Sequence, residues 1–261
     1  MGPTLIRRKS EESTMFTPEK VIGYYFGIIT VVGGLSVLLA IKYTLQRWRS
    51  FPESGWKVQS FALGILGLII ASVLEAPLLF LKTWIALAFA AGIIEESVKL
   101  LPMKFFERSP EWEKWKLVIG AGLFLGVVEG ISYTAGIFAL NQPAYLVGVR
   151  IVLMGLHAIW AAISVGFLLG ERGWKRFAGL AFSMIAHALY DLPSLAMVDG
   201  YSGNVVAYLA GLSTGFLLAT PLMAKKAAEL AGRLVPEEDK ESGEARENVE
   251  KTEENEVTSS P

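Results

Sequence analysis

Seven long apolar runs, parted by short polar stretches, make up most of this chain. They fall at about Val21–Ile41, Phe61–Leu81, Thr83–Met103, Leu117–Leu140, Tyr145–Leu169, Phe177–Val198 and Val205–Met223. Each is close to the roughly 20 residues that a helix needs to cross a hydrocarbon core. The pattern predicts an all-α, polytopic membrane bundle of about seven transmembrane helices over 21–223, after a polar tail over 1–20. Ala76-Pro77 predicts a kink near the end of the second run. Phe106, Trp112 and Trp115 suit an aromatic belt at a membrane interface. Residues 224–261 are expected to form an acidic, disordered cytoplasmic tail, because from Pro236 onward the chain is Glu-rich and lacks aromatics.

Composition agrees: 52% of the 261 residues are hydrophobic. The absence of cysteine excludes disulfides and thiolate chemistry. No cleavable signal peptide, internal repeat, P-loop or dinucleotide motif is evident, and no nucleic-acid partner is expected. The net charge of −1 hides a segregation: Glu237–Glu256 carries ten acids and three bases. The first, third and fifth loops hold Lys42, Arg47, Arg49 and Lys57, then Lys104, Arg108, Lys114 and Lys116, then Arg172, Lys175 and Arg176. The even loops hold Lys82 alone. Lys and Arg mark cytoplasmic loops, which places the N-terminus outside and the C-terminus in the cytoplasm, against the dissent of Arg7, Arg8, Lys9 and Lys20.

Ionised side chains inside such runs cost about 2.5–3.5 kcal/mol each on translocon scales, and their default reading is functional. Glu75, Glu95, Glu96, Glu129 and Asp191 lie within the runs, as do both histidines, His157 and His187. At a rise of about 1.5 Å per residue, Glu95, Glu129, His157, His187 and Asp191 each lie about 10–14 residues from the end of their span. All five therefore meet near the bilayer midplane, although successive spans alternate in direction. Glu75 falls nearer the outer surface, outside this set. His187 and Asp191 share a helix face at i,i+4, as do Glu95 and Lys99. Gly122, Gly126 and Gly130 form a small-residue ridge that lets another helix close on Glu129. Tyr133 and Tyr190 are placed to donate hydrogen bonds to the cluster. A proton- or ion-coupled transporter also uses midplane acids and histidines, but the inverted repeats that would favour it are missing.

The ordered set Glu95-Glu96-x-x-Lys99, Phe124-x4-Glu129, His157 and His187-x3-Asp191, over residues 85–195, resembles the PrsW family of intramembrane proteases. That family sits in a superfamily with the CAAX prenyl endopeptidases and bacterial Abi proteins. The non-catalytic seven-span scaffold subunit of γ-secretase is a distant relative, and a scaffold of that kind is the other alternative. The lysine spacing favours the PrsW branch, whereas Gly130 stands where an Asn commonly follows the second-motif Glu. The resemblance implies an endopeptidase of the cell membrane, cutting a membrane protein or peptide in the lipid bilayer. Catalytic roles then fall to Glu95, Glu96, Glu129, His157, His187 and Asp191, with Lys99, Tyr133 and Tyr190 in support. Glu95 or Glu96 acts as base, and adjacency sets these two about 100° apart on a helix. Four acids against one lysine call for protonation or a divalent cation. Glu129, His157 and His187 suit Zn2+ with a glutamate as base; a metal-free, glutamate-activated water stays open beside it.

Overall fold

A computed structural model describes residues 18–81 and 83–234. The described chain is all helical, with eight α-helices: α1 (Pro18–Arg49), α2 (Trp56–Glu75), α3 (Trp84–Val98), α4 (Leu101–Phe105), α5 (Glu111–Ala139), α6 (Tyr145–Gly170), α7 (Ala178–Val198) and α8 (Gly203–Ala231). Among the described residues, six helical segments are long and apolar enough to cross a membrane: those of α1, α2, α5, α6, α7 and α8.

The expected third span departs from this length. α3 is only 15 residues long, a rise of about 22 Å against a core of about 30 Å. The break has a local cause. Proline has no N–H to donate and its ring clashes with the carbonyl four residues back; for Pro102, in the first turn of α4, that residue is Val98, where α3 ends. The chain between the helices turns tightly, with Leu100 N–H donating to the Ser97 carbonyl at 3.1 Å. Lys99 lies at this break. At Ala76-Pro77, where a kink is expected, the α-helix stops: α2 ends at Glu75 and the chain goes on as a 3-10 helix over Ala76–Leu81.

Two expectations need correction. α8 runs to Ala231, past the predicted end at Met223, so the tail does not begin at 224. Ala224, Ala227, Ala228 and Ala231 fall at i, i+3, i+4 and i+7 and are all buried, which is the spacing of one helix face. The acidic stretch of the tail lies outside the described residues. Trp112 and Trp115 do not form an interface belt. They face inward from the start of α5 and pack with Phe51 and Ala161 in a compact aromatic cluster. Lys116 locks that end of the bundle: its Nζ donates to the Pro52 carbonyl at 2.6 Å and lies over the Trp48 ring.

The helices that carry the site form a ring. α2 packs on α3 and α5, α3 on α7, and α6 on both α5 and α7. α1 and α8 pair with each other and cover α6 from outside the ring. α6 is therefore the enclosed helix, with 78% of its apolar window buried against 17% for α2. The glycine ridge of α5 does what its spacing predicts. A Cβ on Gly122 would meet the His157 carbonyl oxygen at 2.8 Å, and one on Gly126 would meet His157 Cβ at 2.7 Å. Only glycine lets α5 press its backbone against the helix that carries this histidine.

A buried glutamate–histidine centre

The midplane residues do converge. Glu95 and Glu96 come from the last turn of α3, Glu129 from α5, His157 from α6, and His187 and Asp191 from α7. His157, His187 and Glu96 are fully buried, and Glu95 and Glu129 nearly so. The two imidazoles lie edge to face with centroids 5.1 Å apart.

The two adjacent glutamates divide their work, as the angle between them on a helix requires. Glu96 Oε1 accepts from Lys99 Nζ at 2.5 Å and lies 2.9 Å from His187 Nδ1. A carboxylate paired with an ammonium is an acceptor, so the imidazole proton belongs on Nδ1. This leaves Nε2 as the lone-pair nitrogen of neutral His187. Trp160 stacks on the other side of the ring at 5.3 Å and fixes its plane. Glu95 turns the other way. Its Oε2 lies 3.7 Å from His157 Nδ1 and 3.7 Å from His187 Nε2.

Each histidine meets a further carboxylate. His157 Nε2 lies 3.1 Å from Glu129 Oε2, and His187 Nε2 lies 3.4 Å from Asp191 Oδ2. Asp191 thus faces the same nitrogen as Glu95, while the nitrogen that Glu96 orients is the other one. Glu95 Oε2, Glu129 Oε2, His187 Nε2 and both ring nitrogens of His157 are buried without a hydrogen-bond partner in the protein. Buried polar atoms are nearly always satisfied, and a neutral imidazole supplies one N–H only, so acceptors outnumber donors in this cluster. Glu95, His157 and His187 offer one ligand atom each within 4.8 Å of one another, and this trio can hold a metal ion. Bonds of about 2.0–2.2 Å set the ligands of a tetrahedral zinc about 3.3–3.6 Å apart, close to the 3.7 Å seen from Glu95 to either ring. The convergent trio therefore takes Glu95 in the place that the span depths suggested for Glu129.

The sequence reading missed Arg150. It stands seven residues before His157 on α6, on the same face. Its Nη1 lies 3.9 Å from Glu129 Oε1 and 3.8 Å from Asp191 Oδ1, and its guanidinium lies over the Tyr133 ring at 3.9 Å. Tyr133 therefore acts on the arginine and makes no hydrogen bond to the carboxylates. Tyr190 is not a donor to the cluster either, since its hydroxyl donates to the Val149 carbonyl at 2.6 Å. Glu75, set apart on depth, ends α2 within electrostatic range of Glu129, His187 and Asp191.

Fold and centre together define a multi-pass membrane protein with a buried glutamate–histidine site of the kind that performs hydrolysis. A family model described as PrsW family intramembrane metalloprotease matches residues 53–224, well over half of the chain and all of the centre. The chain belongs to the PrsW family of intramembrane metalloproteases, and it is a membrane-embedded protease. Neither curated proteins nor solved structures give a match to it. Membership implies a substrate that is itself embedded in the bilayer.

Proposed function

We propose that this chain hydrolyses a peptide bond of a membrane protein or membrane-associated peptide at a zinc centre held by Glu95, His157 and His187. The observation that carries this reading is the meeting of Glu95 Oε2 with both imidazoles at 3.7 Å, with no protein donor between them. Charge supports it. Glu95, Glu96, Glu129 and Asp191 face Lys99 and Arg150, so four acids and two bases leave the surplus that one divalent cation cancels. Zn2+ bound there would supply a Lewis acid for the water and the scissile carbonyl.

The protein's own groups do the rest. Glu96 is engaged by Lys99 and His187, so it orients and does not act as base. A carboxylate behind a ligating histidine raises its basicity and holds its ring. Glu129 is the carboxylate left for the proton: it lies outside the Glu95, His157 and His187 trio, it is not paired with Lys99, and its Oε2 stands 3.1 Å from His157 Nε2. It takes a proton from the attacking water and returns it to the leaving amine. Asp191 Oδ2 faces the Nε2 lone pair of His187 at 3.4 Å and adds negative charge on the side where the cation would bind.

Stripping the purified protein with a chelator is expected to abolish cleavage, and one equivalent of Zn2+ per chain to restore it. Full cleavage with less than about a tenth of one metal per chain would overturn the zinc reading, since every cleaving chain would need its own ion.

The orientation proposed from loop charge places the C-terminus in the cytoplasm. A tag fused after Pro261 is then exposed to protease on inside-out vesicles. Protection of the tag there would reverse the topology.

A further inference from the structure

We propose that Arg150 is the positioning residue of the centre: one guanidinium aligns both carboxylates that stand against the two histidines. The geometry is a pair of parallel bridges. Glu129 turns Oε1 to Arg150 Nη1 at 3.9 Å and Oε2 to His157 Nε2 at 3.1 Å. Asp191 turns Oδ1 to the same Nη1 at 3.8 Å and Oδ2 to His187 Nε2 at 3.4 Å. Glu129 thus links the shared cation to the His157 ring, and Asp191 is held by the same cation against the Nε2 edge of His187, the side where a metal would bind.

The layout of helices makes the sharing necessary. Glu129 comes from α5 and Asp191 from α7, which flank α6 on its two sides. Arg150 projects from α6 between them. Among the described residues, no other lysine or arginine forms an ion pair with either carboxylate. The Tyr133 ring, 3.9 Å from the guanidinium carbon, holds its plane. A contact of 3.8–3.9 Å is too long for a hydrogen bond. The arginine therefore acts through charge, which carries further between side chains only 11–17% exposed than it does in water. Without it, Glu129 and Asp191 would repel each other and Glu95, and each would swing from its ring. A lysine places a point charge on a flexible stem and does not reproduce a planar fork between two acids.

This role rests on the metal reading, so the test reads metal binding directly. Full-length protein in detergent is titrated with Co2+ against a competing chelator, and the visible absorption of the bound ion is recorded. Arg150→Gln is expected to weaken Co2+ binding about 10–100-fold, the range for groups that orient metal-binding histidines, and to alter the absorption bands. In the Glu129→Gln/Asp191→Asn background, adding Arg150→Gln is expected to change the affinity less than about twofold, because linked residues lose additivity. Arg150→Lys is expected to recover part of the affinity with bands still shifted, and it serves alone if Arg150→Gln does not fold. Native affinity and bands in folded Arg150→Gln, or in Arg150→Lys where only that variant folds, would overturn the proposal. So would an undiminished loss in the double-variant background. A native chain that binds no Co2+ overturns the metal reading itself, and this proposal with it.

Discussion

A Glu129→Gln variant is expected to keep its fold and to take up one metal, held more weakly, while losing about 10²–10⁴-fold in cleavage rate, the usual contribution of a general base. Glu95→Gln is expected to lose both metal and cleavage. The difference follows from position. Glu95 Oε2 is shared between the two imidazoles at 3.7 Å, the place of a ligand. Glu129 Oε2 lies beside one imidazole only, at 3.1 Å, and reaches the centre from the neighbouring helix. Glu96→Gln separates from both: it weakens metal binding by about 10–100-fold, because it removes an orienting carboxylate and no ligand, but once loaded with metal it still cleaves. Metal content and cleavage rate measured on the same preparations decide the matter. Stoichiometric metal in Glu95→Gln with metal lost from Glu129→Gln would exchange the two roles. Native cleavage by Glu129→Gln would remove it as base.

The largest stability effect is expected at Lys99. Its ammonium is fully buried at the break after α3 and pairs with the equally buried Glu96. Removing one member of a buried pair costs about 3–5 kcal/mol, because the other charge stays behind without compensation. Lys99→Met is therefore expected to destabilise the protein by about that much in reversible unfolding from detergent. The double variant Lys99→Met/Glu96→Gln is expected to regain a large part of the loss, since it leaves no orphaned charge. Glu96 would still meet His187 in the single variant, which sets the loss near the lower end of that range. A loss below about 1 kcal/mol, the level of an exposed surface pair, would show that the pair is wet in solution.

Most of the centre was legible because its chemistry is conspicuous against its surroundings. Glu95, Glu129, His157, His187 and Asp191 are polar residues in apolar runs, and the constant rise of a helix converts their positions into depth. Depth does not give azimuth. Which carboxylate completes the trio depends on how α3 and α5 rotate about their axes, so Glu95 and Glu129 could not be told apart by spacing. Arg150 escaped for a related reason. It lies near the start of the fifth run, where a long cationic side chain can snorkel to the interface, and only its seven-residue spacing from His157 hinted otherwise. Trp160 escaped because one aromatic in an apolar helix looks like packing. The break in α3 had a signal in Pro102, which an unbroken apolar run concealed. The end of α8 was misread because Lys225, Lys226 and Glu229 look like tail, although the alanines between them mark a packed face.

Exposure rises steadily along the centre. The side chains of Lys99, Glu96, His157 and His187 are at 0%, Glu95 is at 9%, Glu129 at 11%, and Asp191 and Arg150 at 17%. Lys99 and Arg150 thus cap opposite ends, one sealed and one ajar. The sealed end holds the Glu96–Lys99 pair away from everything outside the bundle, and the Arg150 end is the side from which the centre can be reached.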